Sequence, residues 1–418
     1  MDNPARSAVN RAMDTDVLIA GGGLNGTALA LALAQAGLRV ILVDPLAAAT
    51  RADAGFDGRG YALSISSQRL LAAIGIWERV TAQVQPILNI KVSDGRAGEG
   101  PSPLVLEFDH AEIEEGPMGY MLEDRHLRPA LMAMVAETGA IRQIAGASVT
   151  GHAAGPGAVT VSLSDGSELT AALLVGCDGK RSATAQRAGI NRWGWEYGQS
   201  SLVCAVEHEL PHHGTAQQFF MPPGPLAILP LPGNRSSIVW TETTAEAARI
   251  SALPDEAFLE ELRPRFGSYL GEIALAGARF CYPLSMSVAH DYVRDRVALL
   301  GDAAHAVHPV AGQGLNAGLK DVGALTEVLV RARRRGEDIG RIDVLRRYQS
   351  WRRFDVVTLA LAMDATVRLF SNDSSVLRAG RDLGLGLVNR LAPLRRNLIR
   401  EAAGLTGEVP RLNRGLPI

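Results

Sequence analysis

The densest set of chemically useful residues lies between positions 296 and 322. An apolar run ends there at Gly301 and Asp302, and a helical pattern begins near Leu315. The loop between them contains a proline, two glycines and an amide: Pro309, Gly312, Gln313 and Gly314. A buried strand would deliver Asp302 to the edge of a parallel sheet, where α/β folds bind ligands. The helix start would direct unpaired N–H groups there. The stretch predicts a ligand with hydroxyl groups and an electron-accepting face.

A glycine motif near the amino terminus follows directly on the apolar run DVLIA and reads GGGLNG. Gly21, Gly23 and Gly26 match GxGxxG, in which the glycines allow a tight turn, a close pyrophosphate and close helix–strand packing. A second apolar run ends at Asp44, whose carboxylate can accept hydrogen bonds from ribose hydroxyls. The motif predicts a bound dinucleotide, and by itself it does not distinguish FAD from NAD.

A third strand end has the same character. The apolar residues 173–176 stop at Cys177, Asp178 and Gly179, and Ser182 is placed to cap the helix that follows. An acidic residue beside a glycine at a helix entrance repeats the arrangement described first. We therefore expect three ligand-facing turns on one sheet.

Two arginines are further candidates. Arg59 lies in the loop DGRGYALS, from which it would reach a phosphate or a ring edge, or else remain solvated. Arg125 lies in the first turn of a helix predicted to be capped by Asp124. A cation is unfavourable near the positive end of a helix dipole, so the position of Arg125 suggests an anionic ligand.

Composition restricts the functional class. The chain has 418 residues, 47% hydrophobic and 21% charged, which is typical of a soluble globular protein. A net charge of -2 gives no reason to expect a nucleic-acid partner. Three separated cysteines support neither a disulfide framework nor a metal site. Neither a signal peptide nor a membrane-spanning helix is predicted, so we expect a cytoplasmic protein.

The order of predicted elements indicates an α/β fold, with a Rossmann-like domain, an inserted, mostly antiparallel β-sheet substrate domain and C-terminal helices. Apolar side chains of the insert would line a pocket or form sheet core: Phe219, Phe220, Met221, Trp240, Phe280 and Tyr282. The expected division is a cofactor-binding domain in residues 1–85, 113–190 and 284–345, a substrate domain in 86–112 and 191–283, and a helical region in 346–418.

The carboxyl-terminal tail has apolar residues at helical spacing. Arginines lie between them: Arg378, Arg381, Arg390, Arg395, Arg396 and Arg400. Such a segment rests on an anionic membrane surface or packs on its own protein with a solvated arginine face. A lipid-soluble substrate would favour the membrane.

Three motifs in this order, GGGLNG, CDGKRS and GDAAHAVHPVAGQGLNAGLKD, resemble the signature of FAD-dependent aromatic hydroxylases similar to para-hydroxybenzoate hydroxylase. The segments GYALSISSQRLLAAIGIW and YMLEDRHLRPAL and the tail resemble the ubiquinone-biosynthesis branch of that family.

The resemblance implies roles for individual residues. Gly21, Gly23 and Gly26 would hold the FAD pyrophosphate and Asp44 the adenosine ribose. Asp302, in the Gly301-Asp302 turn, would bind the ribityl chain or the pyrophosphate region. Other implied contacts to the flavin, the nicotinamide or the site entrance are Asp178, Gly179, Arg59 and Arg125. The flavin-ring loop would comprise Pro309, Gly312, Gln313, Gly314, Leu315 and Asn316.

The implied activity is a monooxygenase in which NAD(P)H reduces the flavin and one atom of dioxygen is transferred to a polyprenylated phenol. His305 and His308 flank the flavin-ring loop and are interpreted as structural, and no general base is assigned. A quinone-synthesis complex or a membrane surface would be a further partner. The alternatives are a hydroxylase of a small soluble aromatic or polyketide, and a non-catalytic flavoprotein scaffold.

Overall fold

The computed structural model of the chain describes residues 13–52, 59–101, 105–308, 312–370 and 388–418. These residues form an eight-stranded sheet, a ten-stranded sheet and a three-stranded sheet, with helices between them.

Strands and helices are numbered here in chain order. The strands are β1 Thr15–Ala20, β2 Val40–Asp44, β3 Gly60–Ser64, β4 Gln85–Ile87, β5 Asn89–Arg96, β6 Gly100–Pro101, β7 Leu106–Asp109, β8 Gly119–Glu123, β9 Ile141–Ala145, β10 Val149–Ala154, β11 Val159–Leu163, β12 Glu168–Gly176, β13 Arg192–His208, β14 Thr215–Met221, β15 Gly224–Leu231, β16 Arg235–Thr243, β17 Ile273–Leu275, β18 Phe280–Ala289, β19 Val293–Arg294, β20 Val297–Leu299 and β21 His305–Ala306. The helices are α1 Leu24–Gln35, α2 Ala48–Ala52, α3 Ile65–Ala73, α4 Trp77–Val80, α5 Asp124–Glu137, α6 Ala183–Arg187, α7 Thr244–Ser251, α8 Asp255–Phe266, α9 Gln313–Arg334, α10 Ile342–Phe370 and α11 Ala392–Ala402.

The eight-stranded sheet has a parallel centre in the order β9-β2-β1-β12-β20, with β10, β11 and β19 antiparallel at its margins. Its central strands are continuous apolar runs buried on both faces, as expected for parallel strands covered by helices. The chain proceeds outward from β1 to β9 and then returns to place β12 on the other side of β1. This reversal is a topological switch point, where open α/β sheets bind ligands.

The ten-stranded sheet has the order β21-β18-β13-β16-β15-β14-β5-β6, with β17 and β7 added beside β13 and β5. All its pairings are antiparallel except that of β5 with β14. One face is covered by α7 and α8 and contains the fully buried Trp240. The opposite face packs through Ala216 and Leu231 against the three-stranded sheet β3-β8-β4 and α11.

The predicted fold class is confirmed: a Rossmann-like α/β domain, an inserted and mostly antiparallel sheet, and helices at the carboxyl terminus. The helix α9 begins two residues before the predicted start at Leu315. The predicted cap of α5 is wrong. Asp124 is its first residue, and its carboxylate binds Arg128 at 2.8 Å instead of a backbone N–H group.

The described helices include none that is both long enough and apolar enough to cross a membrane.

Candidate functional site

The three predicted turns lie side by side, each directly after a strand of the parallel centre. Backbone hydrogen bonds connect the strand ends: Cys177 N donates to Ala20 O at 2.7 Å, and Leu300 N donates to Gly176 O at 3.0 Å. Gly21 N donates to Val43 O at 2.8 Å on the other side. The structure therefore brings the three turns together at the point where the strand order reverses.

The first turn needs glycine at two of its positions. Gly21 has φ +109°, and a Cβ on it would lie 2.4 Å from the carbonyl oxygen of Cys177. A Cβ on Gly26 would lie 2.0 Å from the Gly21 oxygen. No described atom lies within 4 Å of a Cβ built on Gly23, and this residue makes no side-chain cap at the start of α1. The N–H groups of the first turn of α1 are therefore free of a side-chain cap and suit an anionic ligand.

Asp44 is nearly buried at the end of β2, and its carboxylate already holds the first turn. Its Oδ2 accepts the Gly22 N–H at 2.7 Å, and its Oδ1 accepts the Leu46 N–H at 2.8 Å. A carboxylate oxygen has a second lone pair, so a ribose hydroxyl would share this group with the backbone.

Arg51 is a residue of this turn that sequence reasoning missed. Its buried guanidinium donates to Gly22 O at 2.9 Å, and its Nε lies 3.5 Å from Asp44. In the sequence it is an isolated arginine of the short helix α2, without motif or period, so no local signal indicates it.

The second turn uses its acidic side chain within the protein. Asp178 accepts hydrogen bonds from Ser182 Oγ at 2.5 Å and from the backbone N and the Oγ1 of Thr184 at 2.9 Å each. Ser182 in turn accepts from Ala185 N at 3.0 Å, which confirms the predicted cap of α6. Gly179 has φ +78°, and nothing lies within 4 Å of a Cβ built on it. The predicted contact of Asp178 and Gly179 with the cofactor stays a prediction.

The third turn presents its acid to the cleft. Gly301 has φ +61°, and a Cβ on it would lie 2.4 Å from Nδ2 of Asn25. The Asp302 side chain is exposed, while its backbone oxygen accepts from Arg192 at 3.1 Å. Although the side chain reaches solvent, desolvation by the protein atoms packed around it raises the pKa of the Asp302 carboxyl. Neighbouring basic side chains act in the opposite direction. These are His305, Arg59, Arg192 and Lys180. Sequence reasoning missed Asn25 and Arg192 as neighbours of this turn.

The flavin-ring loop is held by an amide. Gly312, with φ +63°, is the cap residue of α9, and a Cβ on it would lie 3.1 Å from Cβ of Ala62. Asn316 Oδ1 accepts from Ser64 N at 2.9 Å and from Ser67 Oγ at 2.7 Å. Its Nδ2 donates to Ala62 O at 2.8 Å and Gly312 O at 3.1 Å. The Asn316 side chain therefore fixes the loop to β3 and α3.

The other predicted residues of this loop differ in what surrounds them. Nothing lies within 4 Å of a Cβ built on Gly314, and α9 has no side-chain cap, so its first turn also suits an electron-rich ligand. Gln313 and Leu315 are half-buried in that turn. Pro309 lies outside the described residues.

The two predicted arginines have protein partners. The guanidinium carbon of Arg59 lies 5.9 Å from the ring centre of Tyr61 and 5.7 Å from that of Tyr282, so it connects β3 to the second sheet. Arg125 binds Glu123 at 2.8 Å, which supplies the anion that its position suggested. Contacts of Arg59 and Arg125 with a cofactor stay predictions.

Both histidines of the loop region are buried. His305 binds the carboxylate of Asp321 at 2.5 Å. His308 packs edge to face against Tyr197, with ring centres 4.9 Å apart. Burial lowers the pKa of His308 to about 4, against the opposing effect of Asp364, so this imidazole is neutral near pH 7. These contacts support the structural interpretation of both residues.

The apolar candidates of the insert divide between the two faces of its sheet. Trp240, Phe219 and Met221 belong to the cluster under α7 and α8, which is sheet core. Phe220 belongs to another cluster and stacks on Phe370 of α10, with ring centres 4.1 Å apart. Phe280 and Tyr282 stack with ring centres 6.2 Å apart, and Tyr282 meets Arg59 near the third turn.

An open glycine turn, two helix starts without side-chain caps and an exposed acid beside them fit a dinucleotide with a ribityl chain. Residues 14–357 match the family described as FAD binding domain.

The chain belongs to this family. FAD is therefore the cofactor of this flavoprotein, as the resemblance of its motifs implied.

Known proteins resemble the flavoprotein over almost its whole length. It is 46% identical to ubiquinone hydroxylase UbiL of Rhodospirillum rubrum over 406 residues, which cover 96% of this chain and 93% of that protein. It is 35% identical to 3-demethoxyubiquinol 3-hydroxylase of Escherichia coli over 396 residues, which cover 94% of this chain and 99% of that protein. The solved structure of p-nitrophenol 4-monooxygenase PnpA from Pseudomonas putida has a TM-score of 0.77 at 18% identity, covering 95% and 99% of the two chains, and shares the fold.

Proposed function

We propose that this flavoprotein is an FAD-dependent monooxygenase that uses NAD(P)H and dioxygen to hydroxylate a polyprenylated phenol in ubiquinone biosynthesis. The observation that carries the proposal is the similarity to ubiquinone hydroxylase UbiL over 96% of the chain. The three convergent turns support it, because they meet at the point where the strand order reverses, which is where open α/β sheets bind ligands.

We assign the cleft residues to FAD as the sequence predicted. The first turn would hold the pyrophosphate, Asp44 the ribose, and the Gly301-Asp302 turn the ribityl region. The flavin-ring loop at the start of α9 would lie along the ring. Bound FAD supplies the redox and oxygen-transfer chemistry, and the chain positions the ring and excludes water from it.

We place the phenol between the flavin-ring loop and the second sheet. Tyr282 and Phe280 offer aromatic surface there, and Arg59 connects this surface to β3. Since His308 is neutral and fully enclosed, it is not a proton carrier open to solvent in this arrangement. The predicted division into a cofactor-binding domain, a substrate domain and a helical region accords with this placement.

We further propose that α10 and α11 contact a membrane surface. Of nine large apolar side chains that are exposed in the described part of the chain, six lie on these helices or at the residue just before α11: Phe354, Leu361, Leu369, Leu391, Leu394 and Leu398. The helix α11 is held to the protein by ion pairs of Arg395 with Glu112 at 3.0 Å and Arg400 with Glu115 at 2.8 Å. Leu394 and Leu398 of this helix are exposed, as expected for a helix that lies on lipid.

The test is a hydroxylation assay on the purified flavoprotein with detergent-solubilised prenylated phenols and with short-chain aromatic acids. We expect NAD(P)H oxidation to be stimulated by the prenylated phenols and a hydroxylated product to appear in the mass spectrum. Stimulation by the soluble aromatic acids alone would overturn the substrate assignment. FAD binding without any hydroxylation would overturn the catalytic assignment and point to a scaffold.

A further inference from the structure

We propose that Asp321 is a positioning residue for the cofactor, which it serves by fixing the Gly301-Asp302 turn through a buried network with His305 and Arg352. The proposal rests on the proposed role of that turn in holding FAD. Gly301, His305 and Asp321 all lie in the motif GDAAHAVHPVAGQGLNAGLKD, but nothing in that motif indicates that they bind one another or that Arg352 of α10 joins them.

The geometry of the network centres on one carboxylate. Asp321, in the middle of α9, is completely buried. Its Oδ2 accepts the Gly301 N–H at 3.1 Å and faces His305 Nε2 at 2.5 Å. Its Oδ1 accepts from Arg352 Nε of α10 at 2.7 Å. The turn, the short strand β21 and two helices are thus joined at a single side chain.

Burial makes this carboxylate sensitive to the loss of any donor. His305 and Arg352 are also buried, at 1% and 2% exposure, so water does not replace a missing partner. An ion pair of this kind is weak evidence for added stability, because desolvation of the charges opposes their attraction. A buried carboxylate of this kind is better explained by a role in fixing one geometry. Here it fixes the backbone of the third turn.

The position of the bond to Gly301 links the network to the ligand. Gly301 is held in the left-handed region, with φ +61°, and Asp302 follows it with an exposed side chain. The Gly301 N–H is bound by Asp321 at 3.1 Å, so the network holds the backbone from which the exposed Asp302 side chain extends. Tyr348 OH donates to Leu299 O at 3.0 Å and fixes the end of β20 from the same side.

The outer part of the same network offers a matched control. Asp355 accepts from Arg352 Nη1 and from Lys320 Nζ, each at 3.0 Å, and is partly exposed. Asp355→Asn leaves the three contacts of Asp321 in place. A change at this position therefore reports on the ion-pair cluster without disturbing the turn.

The experiment heats the purified holoenzyme while two signals are followed, flavin fluorescence for release of FAD and tryptophan fluorescence for unfolding of the protein. The variants are His305→Leu, which removes the donor to Asp321, and His305→Gln, whose amide can still donate. In the wild type we expect the two transitions to coincide. In His305→Leu we expect release of FAD to precede unfolding, with an FAD dissociation rate about tenfold higher than that of the wild type.

His305→Gln and Asp355→Asn should keep the dissociation rate within about twofold of the wild type, since both preserve an accepted hydrogen bond at the turn. If the network is only structural, the midpoint temperatures of FAD release and of unfolding should fall together in His305→Leu. That result would overturn the proposal. Equal behaviour of His305→Leu and His305→Gln would also overturn it. Asp321→Asn is a second variant with the same expectation as His305→Leu.

Asp302→Ala separates this proposal from the assignment on which it rests. Faster release of FAD from Asp302→Ala, with no change in His305→Leu, would overturn the role of the network alone. Unchanged release from Asp302→Ala would overturn the assignment of the turn to FAD, whatever the His305 variants show.

Discussion

The turns that follow β12 and β20 resemble each other in sequence and differ in the structure. Each combines an acidic residue with a glycine that has positive φ, Asp178 with Gly179 and Asp302 with Gly301. Asp178 directs its carboxylate back to the start of α6, where Ser182 and Thr184 occupy it. Asp302 has an exposed side chain among basic residues. A sequence pattern at a strand end thus predicts where a turn lies, while long-range neighbours decide whether its acid serves the protein or a ligand.

The largest effect that we expect is a pH dependence of the free energy of unfolding, caused by His308 in the segment that follows the third turn. The pKa of His308 falls from 6.5 in the unfolded chain to about 4 in the folded protein because of burial. Below pH 6.5 the unfolded state therefore binds the proton first, and stability falls until about pH 4, by at most about 3 kcal/mol.

Urea unfolding between pH 7 and 4 measures this, with FAD in excess and His308→Gln as the control. The free energy of unfolding should fall less steeply in His308→Gln than in the wild type, because this variant has no imidazole. Parallel curves for the two proteins would contradict the burial of a neutral His308.

The next largest effect should be a difference in stability between alanine variants at the glycines of the two turns. Alanine in the left-handed region costs about 1–2 kcal/mol at either position. At Gly301 its Cβ would also lie 2.4 Å from Asn25, whereas nothing lies within 4 Å at Gly179. We expect Gly301→Ala to lower the free energy of urea unfolding by about 2 kcal/mol or more, and Gly179→Ala by about 1 kcal/mol. Equal losses would show that Asn25 moves aside freely.

The acids themselves give the most direct comparison. Asp302→Ala should accelerate FAD release about tenfold and change the free energy of unfolding of the apoprotein by less than about 0.5 kcal/mol, because the side chain is exposed. Asp178→Ala should instead lower the free energy of unfolding by about 1–2 kcal/mol, because the contacts at the start of α6 are lost. Release of FAD at the same increased rate from both variants would break the distinction between the two turns.

The smallest effect concerns the cap of α6. Ser182→Ala should lower the free energy of unfolding by about 1 kcal/mol. The double variant with Asp178→Ala should lose less than the sum of the two single losses, since the two side chains bind each other. Urea unfolding of the two single variants and the double variant measures the coupling. Additive losses would indicate that Asp178 and Ser182 act independently.

The parts of the molecule that the sequence predicted are those with local signals. Gly21 and Gly26 require glycine for reasons visible in the motif, and the alternation of the insert predicted its strands. Arg51, Arg192 and Asp321 were not predicted, because their partners lie on other elements and no spacing indicates such contacts. The position of Arg125 was interpreted as evidence for an anionic ligand, and Glu123 supplies that anion two residues away.

The same limit applies to the apolar residues of the insert. Alternation places Phe219 and Phe220 on opposite faces of β14, but it does not indicate which face α7 and α8 cover. Only the packing of Trp240 and Phe258 in the cluster beneath those helices shows that Phe219, which is half-buried, lies against that core.

The contact between the first two turns constrains the residues that position 177 can accept. A Cβ on Gly26 would lie 3.2 Å from Cβ of Cys177, and the backbone of residue 177 already meets the Cβ position of Gly21. The α1 helix therefore approaches β12 closely only while both sides of this contact stay small. A bulky side chain at position 177 would push the glycine turn after β1 outward without altering any glycine of its motif.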